Sequence, residues 1–116
     1  MKSNSEAIKC VGLIPAETAV RPGQPLNVLV MAISAAEVPV EQEVRIYGRL
    51  AETWRPLTGK LCTLAPGEHA HLYFRIPAAC FTPEFWGTEE PVEELVLAAG
   101  TELPADSQQG ELVFCQ

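Results

Sequence analysis

The stretch Leu61–Pro77, LCTLAPGEHAHLYFRIP, constrains the fold more than any other part of the chain. Pro66 presets φ for the first central position of a tight turn. Gly67 supplies the positive φ that a type II turn needs next. After the turn the residues alternate. Ala70, Leu72, Phe74 and Ile76 fall on one face; His69, His71, Tyr73 and Arg75 fall on the other. Period two is the pattern of a strand buried on one side only. Lys60–Leu64 and His69–Ile76 are therefore expected to form a hairpin in a protein built from strands.

The rest of the chain reads the same way. Ala7–Ile14, Leu26–Ser34, Glu43–Ala51, Val92–Ala99 and Glu111–Cys115 are further expected strands, the fourth with a short helix as its alternative. Glu52–Gly59 holds Trp54 and Pro56 and is expected to be a short edge strand or a turn. Ala16–Gly23, Ala35–Pro39 and the polar Thr101–Gln109 read as connections. No long amphipathic helix is present in the pattern. Ten prolines and eight glycines punctuate these segments with turns. Seven or eight short strands imply an all-β antiparallel sandwich, with a closed barrel as the competing architecture. At 116 residues the chain is expected to be one domain, with Pro77–Pro91 as a long inter-strand connection carrying Phe81, Phe85 and Trp86.

The opening turn has an echo. Pro22-Gly23-Gln24-Pro25 precedes Leu26, Val28 and Val30 as Pro66-Gly67-Glu68-His69 precedes Ala70, Leu72 and Phe74. Two strands launched by the same turn chemistry are what a sandwich uses for its second and fifth strands, neighbours in one sheet. With Leu64-Ala65-Pro66-Gly67-Glu68 and Phe74-Arg75-Ile76-Pro77, this layout resembles the bacterial immunoglobulin-like modules, in particular the CARDB and fibronectin-III-like group. The resemblance implies an immunoglobulin-like sandwich over roughly residues 8 to 116. Its motifs are turn chemistry, so it implies no particular activity.

Charge and cysteine usage narrow the function classes. A net charge of −7 argues against nucleic acid and anionic membranes as partners. No apolar run has the length of a transmembrane helix. Met1–Glu6 lacks the apolar core of a signal peptide, so the chain as it stands is expected in the cytoplasm, or outside the cell if a leader was trimmed. Cys10, Cys62, Cys80 and Cys115 contain no C-x-x-C pair, which removes zinc-ribbon and thioredoxin-type readings. Free, mostly buried thiols are the expected state. Two bridges would have three connectivities open to them; Cys10–Cys115 could link the terminal strands, and Cys62–Cys80 could staple the Pro77–Pro91 connection.

No catalytic or cofactor motif emerges. His69 and His71, at i and i+2, would place two rings about 7 Å apart on one strand face, a possible metal pair without an evident third ligand. Glu84, Glu89, Glu90, Glu93 and Glu94 read as a solvated acidic stretch, and Asp106 is the single aspartate. No G-x-S-x-G occurs, and no Cys/His signature surrounds Cys62. The stronger lead is apolar. With Leu26, Val28, Val30 and Ala32 in the core, Leu29, Met31 and Ile33 face outward, and His71 and Tyr73 extend the same surface. Such a stripe is covered by something, either Phe81–Trp86 folding back or another protein. The expected function is a non-catalytic protein-binding or structural module, self-associating or docking through this face. The alternative is a carbohydrate- or metal-binding module, with Tyr47, Trp54, Phe85 and Trp86 stacking on a sugar.

Overall fold

A computed structural model describes residues 7–21, 23–102 and 109–114. Strands dominate: β1 (Ile8–Pro15), β2 (Ala19–Val20), β3 (Leu26–Ser34), β4 (Val40–Leu50), β5 (Thr53–Leu64), β6 (His69–Ile76), β7 (Glu94–Gly100) and β8 (Gln109–Phe114). A 3-10 turn (Ala78–Phe81) and one helical turn, α1 (Pro83–Trp86), lie between β6 and β7. The strands form two sheets, ordered β1-β3-β6 and β2-β8-β7-β4-β5. Pairing is antiparallel except between β2 and β8. Among the described residues no helix is long and apolar enough to cross a membrane.

The alternation in β3 and β6 becomes their orientation. Leu26, Val28, Val30 and Ala32 are buried, while Asn27, Leu29, Met31 and Ile33 keep part of their surface. Phe74 and Ile76 turn inward beside them, and the two strands pair from Leu26↔Ile76 to Ile33↔His69. The turns that launch these strands match: Gly23 has φ 82° and Gly67 has φ 74°. The Gln24 N–H donates to the Arg21 carbonyl at 3.3 Å, and the Glu68 N–H to the Ala65 carbonyl at 3.0 Å. Pro22 itself lies outside the described residues. A buried cluster takes Val28, Val30, Phe74 and Ile76 from one sheet and Val44, Ile46, Leu95, Leu97 and Leu112 from the other.

Three sequence expectations change. First, β5 and β6 are not a hairpin. β5 pairs along its length with β4, from Val40↔Leu64 to Leu50↔Thr53, and β6 belongs to the other sheet. The physical reason is the turn: a type II turn splays its flanking strands, whereas tight hairpins need the mirror-image types. Ala65–Glu68 therefore carries the chain between sheets. Second, Thr53–Gly59 and Lys60–Leu64 are one strand of 12 residues, with Glu52 in the turn before it. Pro56 interrupts the pattern but is accommodated, because β5 is an edge strand and β4 shifts register between Ile46 and Tyr47. Third, Ala16–Gly23 contains β2, two residues pairing parallel to β8. The expected loop Thr101–Gln109 falls largely on residues 103–108, outside the described residues.

The Pro77–Pro91 connection is ordered by local signals. Thr82 is the N-cap of α1, its Oγ1 accepting from the Phe85 N–H at 3.3 Å, with Pro83 at the first position. Gly87, at φ 68°, ends the turn in the left-handed conformation. This places Phe81 and Trp86 in the core cluster. The Trp86 indole N–H donates to the Cys80 carbonyl at 2.9 Å, and the Cys80 thiol lies 3.8 Å from the Leu57 carbonyl.

Candidate docking face

The outward side of the β1-β3-β6 sheet gathers the residues that the sequence singled out. Register sets them in rows: Lys9–Ile33–His69, Gly12–Met31–His71, Ile14–Leu29–Tyr73, and Asn27 beside Arg75. Leu29, Met31 and Ile33 are half-buried, and His69, His71 and Arg75 are exposed. Tyr73 is 67% exposed, and Val11 and Ile14 are each 51% exposed. These are three of the five exposed large hydrophobics among the described residues, Val38 and Leu61 being the others. An aromatic or branched aliphatic side chain left half in water forgoes roughly 1 kcal/mol of burial. Ile14 and Tyr73 flank Leu29 in one row and leave an exposed apolar patch on this face.

The cover expected from Phe81–Trp86 is absent from this side, because Phe81 and Trp86 are drawn into the core. The face instead carries a groove of about 480 Å³, mostly apolar, formed by Ile14, Ala16, Leu29 and Tyr73 with Asn27 and Arg75 at one end. Met31 lies flat across Gly12, where a Cβ would collide with its terminal methyl. Val11 and Ile14 were not legible as part of this face. They sit three apart in sequence, and only the register shift between Cys10 and Gly12 puts both outside.

Both edges of the sheet carry features that oppose strand addition. The Lys60 ammonium, reaching over from β5, donates to the Tyr73 carbonyl on the free edge of β6 and sits 5.4 Å from the Phe74 ring centre. A lysine laid on an edge is a device against pairing. The free edge of β1 carries the bulge at Gly12 and Pro15 at its end, which act the same way.

The residues expected to stack on a sugar do not converge. Tyr47 is 4% exposed and Trp86 is 8% exposed, so neither offers a ring face. Trp54 pairs across from Arg49, whose guanidinium lies 5.6 Å from the indole centre. Phe85 lies under Arg55, at 5.6 Å. Trp54 and Arg55 are successive strand residues, so these two rings sit on opposite sides of β5. Nearby, Arg45 donates from Nε to Glu43 Oε1 at 2.6 Å. That bond first, and one to Tyr47 second, raises the guanidinium pKa still further. His69 and His71 remain on one exposed face, and among the described residues no three potential ligands gather into a metal site.

Cys62 and Cys80 are free thiols, and both are buried, as is Cys10. The possible Cys62–Cys80 bridge is therefore not formed, and Cys115 lies outside the described residues. Burial pushes the Cys62 thiol pKa up, with the Glu68 carboxylate adding to it, and burial alone pushes up that of Cys80. Both are poor nucleophiles held as protonated core residues.

No family model matches the chain. No curated protein matches it either. Solved structures do. A β-glucosidase from Listeria innocua, solved with glucose, superposes on 94% of this chain with a TM-score of 0.71 at 15% identity, and the match covers 16% of that enzyme. A β-glucosidase from Erythrobacter marinus gives a TM-score of 0.73 at 17% identity, over 93% of this chain and 15% of that one. A β-D-glucoside glucohydrolase from Trichoderma reesei gives 0.72 at 12% identity, over 93% and 19%. The chain thus spans less than a fifth of these enzymes. At such identities the likeness shows the fold alone.

Proposed function

We propose that the chain is an immunoglobulin-like β-sandwich, one domain of seven or eight strands, that acts as a non-catalytic docking module. It seats on another protein through the outer face of the β1-β3-β6 sheet. The observation that carries this reading is the face itself: Ile14, Leu29, Met31 and Tyr73 form an apolar surface that no part of the described chain covers, beside a groove of about 480 Å³. Aromatic residues and methionine are enriched in the buried centres of interfaces. On this sheet the lysine over the β6 edge and the bulge on the β1 edge favour side-chain docking over backbone pairing. The solved neighbours lend support of a different kind: in them a unit of this shape is a small part of a much larger protein. The small-ligand alternative has less beneath it, since its aromatic set is dispersed and half buried.

The test is the native size of the protein in its own cells. Wild type is expected in an assembly well above the 12.6 kDa of the chain. A Leu29→Asp/Tyr73→Asp double variant is expected to run as the free chain while keeping its circular dichroism spectrum. Identical elution of the two would count against docking through this face.

A further inference from the structure

We infer that the occupant of the β1-β3-β6 face is an acidic, apolar segment of a different protein, an inference that rests on the docking reading above. The charge pattern carries it. Asp and Glu outnumber Lys and Arg by 15 to 8 in the whole chain. Yet the described residues whose register places them on this face include Lys9, Arg75, His69 and His71 and no carboxylate. The apolar rows lie between two charged ends, Lys9 with His69 at one and Arg75 with Asn27 at the other. The groove ends at Arg75 and Asn27, so a side chain leaving it meets a guanidinium fork and an amide. That is the donor set a carboxylate takes.

The same pattern rejects two other occupants. A second copy meeting this face with its own would use a self-complementary contact. A two-fold axis lying across the strands would set Lys9 of one copy against Arg75 of the other, between two bodies that each carry −7. Like charges brought together in this way are costly at an interface. An anionic lipid surface would attract the face but repel the rest of the molecule for the same reason. A protein segment of alternating carboxylate and apolar residues has neither difficulty. It fills the groove, pairs with both charged ends, and needs no free sheet edge.

The experiment uses a labelled peptide of alternating glutamate with leucine and phenylalanine, a matched peptide with lysine in place of glutamate, and vesicles of phosphatidylcholine with phosphatidylserine. Fluorescence anisotropy gives affinity at low and physiological salt, and amide chemical shifts locate the contact. The acidic peptide is expected to bind at least tenfold tighter than the basic one and to weaken as salt rises. Its shifts should fall on β1, β3 and β6. Lys9→Glu/Arg75→Glu should lower its affinity at least tenfold, whereas Arg45→Glu, on the other sheet, should leave it unchanged. Equal binding of the basic peptide, no binding of the acidic one, binding to vesicles instead, or shifts on β4 and β5 would overturn the inference. So would a dimer of the chain, seen by light scattering and dissolved by Met31→Glu, although that result would leave docking through this face intact.

Discussion

Replacing Trp86 by phenylalanine tests whether the Pro77–Pro91 connection is part of the core or a loop laid over it. Trp86 is 8% exposed, belongs to the core cluster, and donates its indole N–H to the buried Cys80 carbonyl at 2.9 Å. Phenylalanine removes the donor and the smaller ring. At about 25 cal/mol per Å², losing roughly 40 Å² of buried apolar surface costs about 1 kcal/mol. A buried carbonyl left without its donor costs about 1–2 kcal/mol more. The sum, about 2–3 kcal/mol, is a large fraction of the 5–15 kcal/mol typical of a domain. Urea unfolding followed by far-ultraviolet circular dichroism measures it. With a slope of about 1.5 kcal/mol/M, the midpoint falls by roughly 1.3–2 M and the slope stays unchanged. A loss below about 0.5 kcal/mol, the level of an ordinary surface substitution, would refute this account of the connection.

Other outcomes follow from single residues. Ala51 holds φ at 55° in the β4–β5 turn, a conformation costing a non-glycine residue about 1–2 kcal/mol, against about 0.5–1 kcal/mol of extra unfolded-state freedom for glycine. Ala51→Gly should therefore stabilise the protein by about 0.5–1 kcal/mol, read as a melting temperature higher by a few degrees. Gly48 lies beside the buried Leu57 of the neighbouring strand β5, where a Cβ would sit 2.9 Å from Leu57 Cδ1. Gly48→Ala should cost about 1–3 kcal/mol in the same urea assay, because a packed core resists extra volume. Cys62 and Cys80 should resist a thiol reagent in the native protein and react on unfolding, as followed by peptide mapping. Burial raises their folded pKa values. Above the ordinary thiol pKa of about 8.5, the unfolded chain loses protons that the folded chain keeps, so stability should fall as pH rises past that point.

The sequence carried the outer face well because β3 and β6 alternate without interruption. Leu29, Met31 and Ile33 stand opposite Tyr73, His71 and His69, as the paired Pro-Gly turns implied. It carried the β1 contribution poorly. A bulge breaks the period between Cys10 and Gly12, and no local residue announces it. The hairpin expectation failed where turn chemistry outranked adjacency: Ala65-Pro66-Gly67-Glu68 is the wrong hand for a tight hairpin, so the strands it joins part into different sheets. Pro56 read as a break because a proline removes a ladder donor, which matters only in a strand paired on both sides. Tyr47 and Trp86 read as available aromatics because burial depends on what packs over a ring, not on the ring's own segment. The same reason hid the fate of Phe81–Trp86, whose capping signals were present in Thr82, Pro83 and Gly87.

The most direct test of the central claim is a site-specific photo-crosslinker placed in cells at Tyr73 and, separately, at Trp54 on the other sheet. The account predicts one discrete adduct from position 73, identified by mass spectrometry, that re-forms from purified components and is lost with Leu29→Asp. It predicts no such adduct from position 54. An adduct formed only from position 54, or none from position 73, would contradict docking through the β1-β3-β6 face.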